Sequence, residues 1–304
     1  MARSKSPERK PNIWNLGGLS LGQLSGKVLQ GIRKDDLFSL ASDLAFNSIL
    51  ALFPLLIFLL TLLGIFASHR AALRVTLLQN LARVLPPGAF ELVRTTLVEI
   101  ARSAGTGKLT FGIVLAVWFA SGGMSSMMAG VNRAYEVKDS RSWLKGRAIA
   151  IGLTVAISLL ILLALAVVLA GGYVAHTFVG HFGLGVAIAI LGRIAQNILA
   201  LACVLLSFSL IYYFGANIKG QPWRWVTPGS VVGVLLWLGA SFGFRIYLHY
   251  FNSYGRTYGS LGVVMILLIW LYITGLAFLI GGEVNARIDH ALLEQERRGT
   301  RISA

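Results

Sequence analysis

From Gly259 to Gly282 the chain carries no charged residue. At 1.5 Å per residue, a helix of that length crosses a hydrocarbon layer of roughly 30 Å. A polar, glycine-punctuated stretch precedes it, Phe251-Asn-Ser-Tyr-Gly-Arg-Thr-Tyr-Gly, and Gly281-Gly282-Glu283-Val284-Asn285 follows. The expectation is a loop, then a membrane helix that ends on a buried carboxylate. Composition points the same way: 56% of residues are hydrophobic and 13% charged, against about a quarter charged in a soluble domain.

Five more apolar runs fall at about 44–67, 109–131, 148–174, 185–214 and 228–250. The expected fold class is therefore all-α, a polytopic membrane protein with six transmembrane helices, its membrane domain covering residues 43–288. Residues 1–42 read as a basic cytosolic tail leading into an amphipathic interfacial helix, with Leu21, Leu24, Val28, Ile32 and Leu37 set among Lys27, Arg33 and Lys34. Residues 289–304 read as a second cytosolic tail. Between spans one and two, leucines at helical spacing around Pro86-Pro87-Gly88 predict a helical extracytoplasmic connection. The first apolar run begins only near Leu44, too far in for a cleaved leader. Of the 27 Lys and Arg, 18 lie in the tails and in the connections after spans two and four, which orients both termini to the cytosol. A charge of +15 with that distribution suits anionic lipid headgroups on the cytosolic face, and no nucleic acid is expected.

Polar residues inside a membrane are costly and so draw attention. Asp43 and Asn47 share one helix face, and Pro54 frees a carbonyl in mid-span. In span two, Gly112, Ala116 and Ala120, and again Gly122, Ser126 and Gly130, are spaced by four, which suits close helix packing within the chain or with a second copy. Ser121-Gly-Gly-Met-Ser-Ser there also admits a broken helix lining a path. Trp118-Phe-Ala-Ser-Gly has a short echo in Trp237-Leu-Gly-Ala-Ser, as inverted halves would leave. Arg193, Arg245 and Arg256 oppose the charge bias; they are read either as snorkelling to headgroups or as a vestibule attracting an anion.

Ala45-Phe46-Asn47-Ser48-Ile49-Leu50-Ala51-Leu52-Phe53-Pro54, Asn132-Arg133-Ala134-Tyr135, Pro228-Gly229 followed by Trp237, Tyr254 and Thr257-Tyr258-Gly259-Ser260, Trp270-Leu271-Tyr272, and Gly282-Glu283-Val284-Asn285 occur in that order. Together, over about residues 30–290, they resemble the YihY/BrkB family of bacterial inner-membrane proteins. Phe46 stands where that family usually has Tyr, and Ala51 where Ser is common. The resemblance implies a six-span helical protein of the cytoplasmic membrane. An older family name, ribonuclease BN, attributes tRNA processing to it; another refers to resistance to serum killing, and transport has been proposed.

Catalysis finds little support in the residues. His69, His176, His181, His249 and His290 are scattered, no span holds a carboxylate pair, and Cys203 is the lone cysteine. A nuclease would need clustered metal ligands, so no metal, cofactor or enzymatic activity is expected. No glycine-rich loop ending in Lys-Ser or Lys-Thr is present to bind ATP. The expected function is a transporter or flippase-like permease for a small solute or lipid. The alternatives are a non-transporting scaffold or envelope-integrity protein and, disfavoured, a tRNA-processing ribonuclease. The candidate polar core is Asp43, Asn47, Pro54, Asn132, Arg133, Tyr135, Arg193, Arg245, Tyr254, Tyr258, Glu283 and Asn285. In it Tyr254 and Tyr258 gate the outer end, while Asp43 and Asn285 join Glu283 at the inner end. Glu283 and Asp43 are the groups expected to respond to protons or cations. An ordinary Glu283–Arg287 helix pair is the plainer account of that carboxylate.

Overall fold

The computed structural model describes residues 13–51, 78–79, 94–95, 107–182, 186–218, 220, 223–250 and 254–303. Every regular element among them is helical, with no strand. After a short tight turn at Ile13–Gly18, α1 spans Leu21–Lys34. Ser20 starts it with a capping box: the Gln23 backbone N–H donates to Ser20 Oγ, and the Ser20 N–H donates to Gln23 Oε1. Asp35 and Asp36 end it, Asp36 with φ +49°, before α2 resumes over Leu37–Ala51.

Helix α3 covers Gly107–Ala134, α4 Trp143–Phe182, α5 Val186–Leu210, α6 Pro228–Tyr250 and α7 Tyr254–Ser303. A wider helical turn, Ile211–Gly215, extends α5. Among the described residues, four stretches are long and apolar enough to cross a membrane: Trp143–Val168, Ile190–Gly215, Pro228–Leu248 and Val264–Gln295.

Two compact units divide the chain. In the unit made of residues 46–128 and 141–214, α4 packs along α5 and the Gln196 amide donates to the Val168 carbonyl at 2.7 Å. In the unit made of residues 1–45, 129–140 and 215–304, α6 packs along α7, and α1 lies on the C-terminal half of α7. There Leu24 and Val28 of α1 bury against Val284, Ile288 and Leu292, with Ile13 from the preceding turn.

Four expectations need correction. Gly281-Gly282 does not end the last helix; α7 continues for 50 residues in all, so Glu283 sits inside it. An interior glycine costs a helix about 1 kcal/mol relative to alanine. Burying Val284, Ile288 and Leu292, each contributing about 1.5–3 kcal/mol, outweighs that cost. Second, α7 begins at Tyr254, so the polar stretch from there on is helix and not loop. Third, α3 is continuous through Ser121-Gly-Gly-Met-Ser-Ser, against a broken helix. Its small residues pack unevenly: a Cβ on Gly130 would lie 2.8 Å from Leu279, one on Gly123 would lie 3.0 Å from Ala51, and one on Gly122 would meet nothing within 4 Å among the described residues. Fourth, part of the apolar stripe of α1 is covered by α7 and not left for lipid.

Candidate functional site

Glu283 is fully buried, at 0% exposure, and Arg287 lies one helical turn further along α7. Nε and Nη2 of Arg287 both reach Glu283 Oε1 at 2.5 Å. The same guanidinium contacts Asp35 Oδ2 at 3.4 Å, at the end of α1, and Glu136 Oε1 at 3.3 Å, just beyond α3. Lys34 Nζ completes the set with an ion pair to Glu136 Oε1 at 2.8 Å. One arginine thus gathers three carboxylates from three places in the chain.

Local chain geometry aims these groups. Asp35 caps α1, its N–H donating to the Gly31 carbonyl. Gly31 is the point of closest approach: a Cβ there would run into Glu283 Oε1 and come within 2.7 Å of Arg287 Nη2. Glu136 holds φ +54° at the end of α3. Its N–H donates to the Arg133 carbonyl and that of Val137 to the Asn132 carbonyl, both at 2.9 Å, a helix stop that usually employs glycine. A residue with a Cβ is uncommon in that left-handed position.

Electrostatics follow from the contacts. The hydrogen bond from Lys34 is the main cause holding the Glu136 carboxyl below the ordinary glutamate value. The same bond raises Lys34 above the ordinary lysine value. Burial pushes Asp35 above the ordinary aspartate value, with Arg287 pulling the other way.

Asn285 does not join this cluster. Its Oδ1 accepts from the Gly229 N–H at 2.8 Å and its Nδ2 donates to Thr227 Oγ1 at 2.9 Å. It therefore clamps the first turn of α6, where the Thr227 and Ser230 side chains each accept from the other's backbone N–H. Gly229 allows this, since a Cβ would collide with the Gly281 carbonyl oxygen and with Asn285. Asp43, also expected beside Glu283, is on the exposed side of α2, and Asp35 supplies the acid instead. Asn132, 4% exposed, ties two connections, accepting from the Asn217 N–H at 2.7 Å and donating to Asp139 Oδ2 at 3.2 Å. Tyr135 is buried and hydrogen-bonds Asp289, which Arg224 faces at 3.8 Å. Arg133 is exposed, Asn47 half-buried, and Arg193 and Arg245 are each exposed on their own helices. Pro54 and the side chains of Tyr254 and Tyr258 lie outside the described residues.

Lys34, Asp35 and Glu136 lie outside the candidate polar core read from the sequence, where Lys34 entered only as a flanking charge of the interfacial helix. With only 12 acidic residues in 304, acids beside helix ends were the available signal. Among the described residues, no group of three or more His, Cys, Asp or Glu is arranged to hold a metal ion.

Several helices of membrane length, with a charged cluster buried against one of them, define an integral membrane protein of the all-helical, multi-pass class. The chain belongs to the virulence factor BrkB family, whose model matches residues 28–302. It is 34% identical over 251 residues to ribonuclease-like protein YfkH of Bacillus subtilis, covering 82% of this chain and 88% of that one. It is also similar to UPF0761 membrane proteins. The one from Photobacterium profundum is 28% identical, covering 90% of this chain and 83% of the relative. The one from Tolumonas auensis is 24% identical, covering 87% and 85%. No solved structure matches the chain.

Proposed function

We propose that this protein is a six-span permease of the bacterial inner membrane, with both termini cytosolic, moving a small solute or a lipid. The observation that carries the reading is the fully buried Glu283 on a membrane-length helix, gathered with Asp35, Glu136 and Arg287. Buried charge of this kind is costly in or beside a membrane and is usually kept for a path or a gate. The distribution of Lys and Arg supports the orientation, and the cytosolic face is the one that meets anionic headgroups. The proposal includes no catalytic step.

The test is thermal stabilisation of the detergent-purified protein by anions, osmolytes and anionic lipids, because a ligand of the folded state raises its melting temperature. A stabilising compound that loses its effect in Glu283→Gln or Arg245→Ala, and that then crosses vesicle membranes only with the protein present, is the expected result. A screen with no hit and no flux removes the permease reading.

A second reading is a non-transporting scaffold that works as a homo-oligomer. Gly239 and Gly243 favour it: they stand four apart on α6, and among the described residues nothing lies within 4 Å of a Cβ on either, a pattern that lets membrane helices approach closely. Cross-linking in native membranes, with no flux in vesicles, is what that reading expects.

A further inference from the structure

Glu283 is asymmetric. Oε1 takes both nitrogens offered by Arg287, while Oε2 is buried and has no hydrogen-bond partner among the described residues. A carboxylate oxygen shut away from water needs a donor, a cation or a proton, because an uncompensated buried charge is far more costly than a buried neutral group. The surrounding charges do not supply one. From α1, Lys34 is committed to Glu136, and Asp35 is itself an anion beside Arg287. From the connection after α3, Glu136 adds a further negative charge, and Arg133 acts on Asp35 through space. On α7 itself, Arg287 is shared among three carboxylates, while Asp289 faces Arg224 and Tyr135. Gly31 presses the α1 backbone against the carboxyl group, so no larger group fits on that side.

We propose that Glu283 Oε2 is the seat of an exchangeable proton, and that binding this proton eases the Arg287 hub that holds α1 and Glu136 to α7. The proton comes from water and returns to it, and no other bond is made or broken. When Oε2 is protonated the carboxyl is neutral, so its pull on Arg287 falls and the guanidinium is left to Asp35 and Glu136. When the proton leaves, Glu283 reclaims Arg287. The inference deepens the permease reading by naming an ion that the buried site takes, but the proton site can be observed without any transport.

The experiment is infrared difference spectroscopy of the whole purified protein in lipid, titrated with pH in the absence of any candidate solute. A carboxylic-acid carbonyl band that comes and goes with pH is expected in the wild type, and it is missing in Glu283→Gln. Labelling the glutamates with carbon-13 should shift that band in the wild type, which assigns it to a glutamate even where the variant folds poorly. A spectrum with no such band, or one whose band survives in a folded Glu283→Gln variant, overturns the proposal. A band that follows sodium or potassium at fixed pH also overturns it, since the occupant of Oε2 is then a metal cation. Failure of every flux assay with the band intact removes the permease reading and leaves the proton site standing.

Discussion

Arg287→Met removes the charge that three carboxylates share while keeping most of the side-chain volume. Arg287 is 14% exposed, and of its partners Glu283 is 0%, Asp35 10% and Glu136 38% exposed. Breaking a buried ion pair by deleting one partner costs about 3–5 kcal/mol, because the other charge stays buried. Here nearly all of that cost falls on Glu283, measured at alkaline pH, where Oε2 carries no proton to neutralise the stranded charge. Glu136 is at the surface, where such pairs are worth about 0–1 kcal/mol, and it keeps Lys34. An unfolding entropy of about 2.1 cal/mol/K per residue over 304 residues gives roughly 1.6 °C per kcal/mol. The expected loss is therefore a fall of about 5–8 °C in melting temperature, followed by tryptophan fluorescence in detergent. Adding Glu283→Gln to Arg287→Met removes the stranded charge and should recover most of the loss, giving a coupling of about 1–3 kcal/mol in the double-mutant cycle. An Arg287→Met protein that melts within about 1.5 °C of wild type, or one that Glu283→Gln fails to rescue, refutes the account of a buried hub.

Three other outcomes are expected. Asn285→Ala leaves the buried Gly229 N–H without its acceptor and should cost about 1–3 kcal/mol, read as a lowered melting temperature, while Asn285→Asp keeps that acceptor and loses less. Gly31→Ala should destabilise by about 1–3 kcal/mol, despite alanine's better helix propensity, because the methyl overlaps Glu283; a gain in melting temperature contradicts the close approach. Glu136 sits below the ordinary glutamate value when folded, chiefly through Lys34, so its contribution is present above about pH 4.3 and is lost as pH falls through the lower folded value. Lys34→Gln should flatten that acid-side loss, and high salt should do the same to the exposed pair.

Periodicity and apolar length made the helices legible, because each element depends on its own residues. The i, i+4 pairing of Glu283 with Arg287 was readable for the same reason. The rest of the cluster was not. Asp35 and Glu136 are 252 and 151 residues from Arg287, and only the meeting of α1, the end of α3 and α7 brings them together. Asn285 misled because its position beside Glu283 suggested a shared task, whereas it points to a cap 56 residues away. Gly281-Gly282 reads as a helix stop by propensity, yet the contacts of the turns beyond it decide the outcome.

The unbroken length of α7 has a mechanical consequence. Fifty helical residues make a rod of about 75 Å, some two and a half times a hydrocarbon layer, so much of it must project beyond the lipid. From Glu283 to the end at Ser303 is about 30 Å of that rod. A tilt of about 5° pivoting near Glu283 would carry its far end about 3 Å, while residues beside the pivot hardly move. The Gln295 amide, bonded to the Gly17 carbonyl at 2.7 Å, couples this arm to the segment preceding α1. A tilt about that pivot would thus reach the segment before α1 through Gln295, about 18 Å along the rod from Glu283.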